Sequence, residues 1–156
     1  MSPPPVIDLP SPDATAAFAA SLAPCLVPGD VVLLDGPVGA GKSHFARALI
    51  QSVQEVPEDV PSPTFTLVQS YDTSRGTIWH CDLYRMSGPD ELVELGLIDA
   101  FDEAICLVEW PDRLGELAPE SALRLTFTPD GSDPDLRKVA INGGADWTGR
   151  LAGIAA

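Results

Sequence analysis

The stretch that decides the fold is "VVLLDGPVGAGKSHFARALI", residues 31–50. Val31 to Leu34 is a short aliphatic run between Pro28-Gly29-Asp30 and Gly36, which predicts a buried strand. From His44 to Val53, Phe45, Leu49 and Val53 recur at helical spacing. Between them, Gly36, Pro37, Val38, Gly39, Ala40, Gly41, Lys42 and Ser43 match the phosphate-loop pattern G-x-x-x-x-G-K-[ST]. The pattern carries chemistry because glycines let the backbone pass close to phosphates, while the helix N-terminus aims N–H groups at them. Lys42 is expected to reach the β- and γ-phosphates as a solvent-facing ligand, and Ser43 to place its hydroxyl on Mg²⁺. The bland alternative is a glycine-rich turn with a chance Lys-Ser. A strand before and a helix after make that the weaker reading.

Working outward, 156 residues with 45% hydrophobic content predict one domain with a substantial core. No window approaches the apolar length that spans a bilayer, and "MSPPPVIDLP" shows no basic region followed by an apolar run. Cys25, Cys81 and Cys106 are odd in number and scattered, so each reads as a small hydrophobe in a reduced cytoplasm. Nine Lys plus Arg against 23 Asp plus Glu leave a net charge of −14. Such a chain should be repelled by RNA, DNA and anionic membranes, and should suit a partner with a basic surface. Solubility alone is an equally good account of that charge.

The remaining elements follow from pattern. Asp13 to Leu26 is an alanine-rich helix with Ser11 or Asp13 as N-cap. "EVPEDVPSPTF" reads as a surface loop, and the first five residues as flexible. "FTLVQSYD" and "TIWHCDLYRM" flank "TSRG" as a hairpin. "SGPDELVELGLIDAFDEA" suits short helices, and "AICLVEWP" a buried strand ended by Pro111. "ALRLTFTPD" and "LRKVAING" form a second hairpin around "GSDP", and "ADWTGRLAGIAA" a closing helix. The order predicts an α/β fold: a phosphate-loop domain whose mixed sheet has a parallel core, antiparallel hairpin additions and flanking helices.

A phosphate-loop enzyme needs an acid at the end of a neighbouring strand. Glu109 closes the run Ile105-Cys106-Leu107-Val108 and suits that role, although it could be an ordinary strand-end charge. In "WHCDLYR" the period of two puts His80, Asp82 and Tyr84 on one face, read as outward, and Trp79, Cys81 and Leu83 on the core face. Asp82 is therefore a second candidate acid. His80 reads more readily as a hydrogen-bonded scaffold residue than as a catalyst, and a metal site from His80 and Asp82 alone lacks a third ligand. Thr64, in "PSPTF", stands where switch loops of nucleotide hydrolases place a hydroxyl, or is an ordinary loop threonine. The Asn-Lys-x-Asp signature of guanine-nucleotide proteins is missing from the chain, which favours ATP.

"GPVGAGKS", "SPTFTLV", "HCDLYR" and "LVEWP", in that order and in a chain of this size, resemble the TsaE family. The likeness runs from about Val6 to Pro111, with Ser43 where the family usually has threonine. It implies a slow ATPase that uses ATP and Mg²⁺ in tRNA threonylcarbamoyladenosine synthesis. It implies partners similar to TsaB and TsaD, the latter modifying N6 of adenosine 37 in tRNAs reading ANN codons. Contact with tRNA would be indirect, through the complex. By motif, Lys42 and the backbone from Gly36 and Val38 through Gly39, Ala40, Gly41, Ser43 and His44 would hold phosphates. Ser43, Asp82 and Glu109 would serve the metal, Thr64 would be the switch residue, and Trp110 would sit beside the site. Ser11 and Pro12 would approach the adenine. Two other readings remain: a small-molecule kinase, which the scattered arginines disfavour, and a non-catalytic ATP-binding adaptor. Apart from Arg85, no arginine lies next to a motif at a spacing that would aim it inward.

Overall fold

The computed structural model describes residues 6–37, 41–54, 68–84, 90–94, 96–133, 136–143 and 145–151. The expectations for Val38, Gly39, Ala40, Thr64 and Arg85, for the loop at 55–65 and for the first five residues lie outside them.

A four-residue strand, β1 (Val6–Leu9), opens the described chain and is not predicted by local pattern. The helix α1 (Pro12–Leu22) follows, and of the two cap candidates it is Ser11 whose Oγ accepts from the Ala14 N–H, at 3.1 Å. This helix stops short of the expected Leu26, because Pro24 falls in a 3₁₀ turn over Ala23–Cys25. Next come β2 (Val31–Asp35) and α2 (Lys42–Val53), which starts from Gly41 in the left-handed conformation. The first hairpin is β3 (Val68–Thr73) and β4 (Gly76–Asp82), paired antiparallel with Thr73 opposite Gly76. Two short helices, α3 (Asp90–Glu94) and α4 (Leu97–Glu103), lead to β5 (Ile105–Glu109). A 3₁₀ stretch over Pro111–Leu117, kinked at Gly115, leads to β6 (Leu123–Pro129), β7 (Arg137–Asn142) and α5 (Ala145–Arg150).

The strands form one seven-stranded sheet in the order β1-β7-β6-β2-β5-β4-β3. The four central strands β6, β2, β5 and β4 run parallel; β3 pairs antiparallel with β4 on one side, and on the other β7 pairs antiparallel with β6 and β1 with β7. A parallel core must be covered on both faces, which is why Val31 to Leu34 is apolar at every position. Val32 and Leu34 join Phe18, Leu22, Phe45, Leu49 and Ile50 under α1 and α2. Val31 and Leu33 pack with Cys81, Leu83, Leu97, Phe101 and Cys106 on the opposite face.

This two-sided covering corrects the reading of β4. Cys81 and Leu83 are fully buried, as expected, but so are Ile78 and His80 on the face taken as outward. An internal strand has no solvent face, so alternation of polar and apolar residues marks here which layer a side chain meets. Only Tyr84, beyond the strand end, is exposed, at 51%. Among the described residues no helix is long and apolar enough to cross a membrane.

Candidate functional site

Parallel strands leave their C-terminal ends at one edge, where doubly wound sheets place ligands. Gly36 leaves β2 there with φ +139°, and a Cβ on it would stand 2.5 Å from the Phe127 carbonyl oxygen of β6. Any side chain would collide with backbone, so this first glycine of the loop is required sterically as well as conformationally. Gly41, φ +99°, gives α2 its left-handed N-cap, and Phe45 N–H closes the first turn onto its carbonyl at 2.9 Å.

Lys42 is the first residue of α2, and its placement corrects an expectation. Instead of facing solvent it is 4% exposed. Its Nζ donates to the Gly36 carbonyl at 2.6 Å and lies 3.6 Å from the centroid of the Trp110 ring. Burial lowers its pKa, while the charges of Glu109, Asp82 and Asp35 pull it back up. The indole reaches this position because Trp110 turns out of β5 with φ 59° and ψ 54°, a left-handed conformation costing an ordinary residue on the order of 1 kcal/mol or more. Tyr84 stacks on it with ring centroids 5.0 Å apart.

Ser43, on the next position of α2, donates its hydroxyl to Glu109, with Oε1 at 2.8 Å and Oε2 at 3.0 Å. Glu109 is 2% exposed at the end of β5 and takes a second contact from His80 Nε2 at 2.7 Å. Parallel register sets Asp82 of β4 directly opposite Glu109. Burial raises the Asp82 pKa and the Glu109 charge adds to the rise, against the Tyr84 N–H that reaches its Oδ1 at 3.1 Å. A hydroxyl and a carboxylate are hard oxygen donors, and Mg²⁺ is commonly held by one or two protein oxygens plus substrate phosphates. The donor set therefore fits Mg²⁺. Among the described residues no group of three or more His, Cys, Asp or Glu side chains could hold an ion unaided.

The segment before α1 is tied to this edge by His44. A carbonyl only accepts, so His44 Nε2–H donates to the Pro12 oxygen, at 2.9 Å. Gly36, Gly41, Lys42, Ser43, His44, Asp82 and Glu109 are thus gathered at one edge, with Ser11 and Pro12 attached through His44.

The chain matches the family model of TsaE, "Threonylcarbamoyl adenosine biosynthesis protein TsaE", over residues 9–139. The chain belongs to the TsaE family. It is 41% identical to the tRNA threonylcarbamoyladenosine biosynthesis protein TsaE of Rickettsia bellii over 75% of its length and 81% of that protein's. It is 36% identical to the protein of the same name from Bacillus subtilis, over 79% of this chain and 77% of the relative. Its fold is similar to the crystal structure of Bacillus subtilis YdiB, with a TM-score of 0.76 and 27% identity over 99% of this chain and 95% of the other.

An arginine beside the loop escapes sequence reasoning. Arg137, the first residue of β7, brings its Cγ to 4.0 Å from where a Cβ on Gly41 would stand. Arg85, the arginine that motif spacing singles out, lies outside the described residues. No local spacing could have found Arg137, because strand pairing across the sheet brings it there.

Proposed function

We propose that this TsaE-family chain is a Mg²⁺-dependent ATPase of tRNA threonylcarbamoyladenosine synthesis, acting in the cytoplasm with partners similar to TsaB and TsaD on adenosine 37 of tRNAs reading ANN codons. The observation that carries the nucleotide reading is the contact of Ser43 with Glu109, made one residue after Lys42 at the N-terminus of α2. It joins the phosphate-loop hydroxyl to the strand-end acid, the two protein groups that phosphate-loop hydrolases place around their cation.

Each group has a part in that reading. The backbone from Gly36 to Ser43 takes the phosphates, and Lys42 leaves the Gly36 carbonyl to meet them. Ser43 and Glu109 are the protein oxygens that would hold Mg²⁺, which when bound would supply positive charge against the charge developing on the phosphates. Asp82, paired with Glu109 in the sheet, is the second acid of this reading, to serve the metal or to orient the attacking water. Trp110 keeps bulk water from Lys42, which strengthens its field at the phosphates. Thr64 belongs to the reading as the switch residue, and Ser11 and Pro12 as the wall nearest the base.

The test is phosphate release from Mg-ATP with no acceptor present. The parent should hydrolyse slowly. Lys42→Met, which keeps the packing under Trp110, should lose on the order of 100-fold in hydrolysis. Glu109→Gln should bind nucleotide within a few fold of the parent yet hydrolyse far less. A parent that needs an acceptor would be a kinase, one that binds without hydrolysing an adaptor, and unchanged rates in both variants would remove the site.

A further inference from the structure

Glu109 has a second buried partner to which neither the phosphate-loop pattern nor strand-end position assigns a part. His80 is 0% exposed, and its Nε2 lies 2.7 Å from Glu109 Oε2. The contact is built by the sheet: His80 pairs with Leu107 of β5, and Glu109 is the next residue of that strand on the same face. Ser43 approaches the other oxygen, Oε1, most closely, at 2.8 Å. The carboxylate is thus gripped from two sides, by α2 and by β4.

The hydrogen bonding assigns the ring's tautomer. An ionised carboxylate only accepts, so Nε2 carries the proton. Nδ1 is enclosed and has no hydrogen-bond partner among the described residues. A donor at Nε2 holds one carboxylate oxygen in place and leaves Oε1 to Ser43 and a cation.

We propose that His80 is the positioning residue of the metal-binding carboxylate, holding Glu109 Oε2 through Nε2–H so that Oε1 stays turned to Ser43 and to Mg²⁺. The proposal rests on the nucleotide reading of the site. Removing an outer partner of this kind typically weakens metal affinity by about 10- to 100-fold. The effect should be confined to the metal, since His80 is directed at Glu109 and not at the loop.

The experiment measures binding of a fluorescent N-methylanthraniloyl ATP, first in EDTA and then against rising Mg²⁺, for the parent, His80→Phe, His80→Gln and His80→Asn. Metal-free affinity should be alike in all. The Mg²⁺ concentration for half-maximal enhancement should rise about 10- to 100-fold in His80→Phe. Gln, whose amide N–H reaches the place of Nε2, should restore most of it, and Asn, which is shorter, should not. If His80→Phe does not fold, the Gln and Asn pair decides. Parent-like Mg²⁺ dependence in the Phe or Asn variant overturns the proposal. So does a loss of metal-free affinity equal to the loss of Mg²⁺ response. A parent that binds no nucleotide, or binds it without regard to Mg²⁺, fails one step earlier and removes the reading on which the proposal rests.

Discussion

Three carboxylates press on one buried lysine at the end of the sheet, and their energies oppose one another. Lys42 is held in low dielectric with its pKa lowered, and Glu109, Asp82 and Asp35 offset part of that cost. Asp82 is held with its pKa raised, first by burial and then by Glu109. Its folded pKa stands above the unfolded value, so as pH rises the unfolded chain releases the proton first. The folded state then binds more protons, and stability falls as pH climbs from the ordinary carboxylate range through the raised value. Asp82→Asn removes that loss. In EDTA at neutral pH the variant should melt above the parent, the two should converge at acid pH, and its Mg-dependent hydrolysis should fall sharply. Thermal melts across pH check this; a variant less stable than the parent at neutral pH refutes it. Sequence shows the charges but not their burial. "GKS" and "EWP" identify Lys42 and Trp110 as neighbours of the site. That the indole covers the ammonium follows from one left-handed backbone pair at Trp110, which no pattern announces.

At the scale of elements, α1 and α2 meet through polar contacts at their N-termini and through apolar ones along their lengths. Phe18 of α1 and Phe45 of α2 stack at 5.6 Å, and the Pro12 carbonyl accepts from His44. Ser11 has two parts in this arrangement, capping α1 and standing in the segment proposed to meet the base. Two substitutions separate them. Ser11→Ala removes the cap and should cost about 1 kcal/mol, or roughly 2–4 °C in Tm, whereas Ser11→Gly should cost a few tenths. Both remove the hydroxyl. If Ser11 touches the nucleotide, ATP affinity falls alike in both; affinity unchanged in the Gly variant would confine Ser11 to capping. Elements with strong local signals were legible: the Pro28-Gly29-bounded strand, the phosphate-loop helix and both hairpins follow their periods. β1 was not, being four residues flanked by prolines and defined only by pairing Val6–Leu9 with β7. His80 was legible as a residue to watch and misplaced as to face, because its strand is covered on both sides.

At the scale of the whole molecule, the site and the surface charge make different demands on a partner. On the proposed reading the chain supplies its own oxygens for the cation and its own phosphate-loop lysine, and it also carries −14 net charge. A field of that sign does nothing to attract ATP, so the nucleotide must be held by local geometry: the loop N–H groups, Lys42 and the cation. Its long-range effect falls instead on macromolecules, speeding approach to a basic surface and slowing approach to nucleic acid. For exposed charges the Debye length shrinks from about 10 Å at 0.1 M salt to about 3 Å at 1 M, so steering of this kind must fade as salt rises. Mutations and salt acting on rim charges change association more than dissociation. Stopped-flow binding of the labelled chain to a TsaB–TsaD-like pair should therefore show an association rate falling about tenfold or more between low and high salt, with dissociation changing little. Excess tRNA should slow docking if it competes for the same basic face. An association rate indifferent to salt would mean that the acidic surface serves solubility, and that the partner recognises this chain by shape at the nucleotide edge instead. In that case exposed Tyr84, stacked on Trp110, is where substitution should weaken docking most.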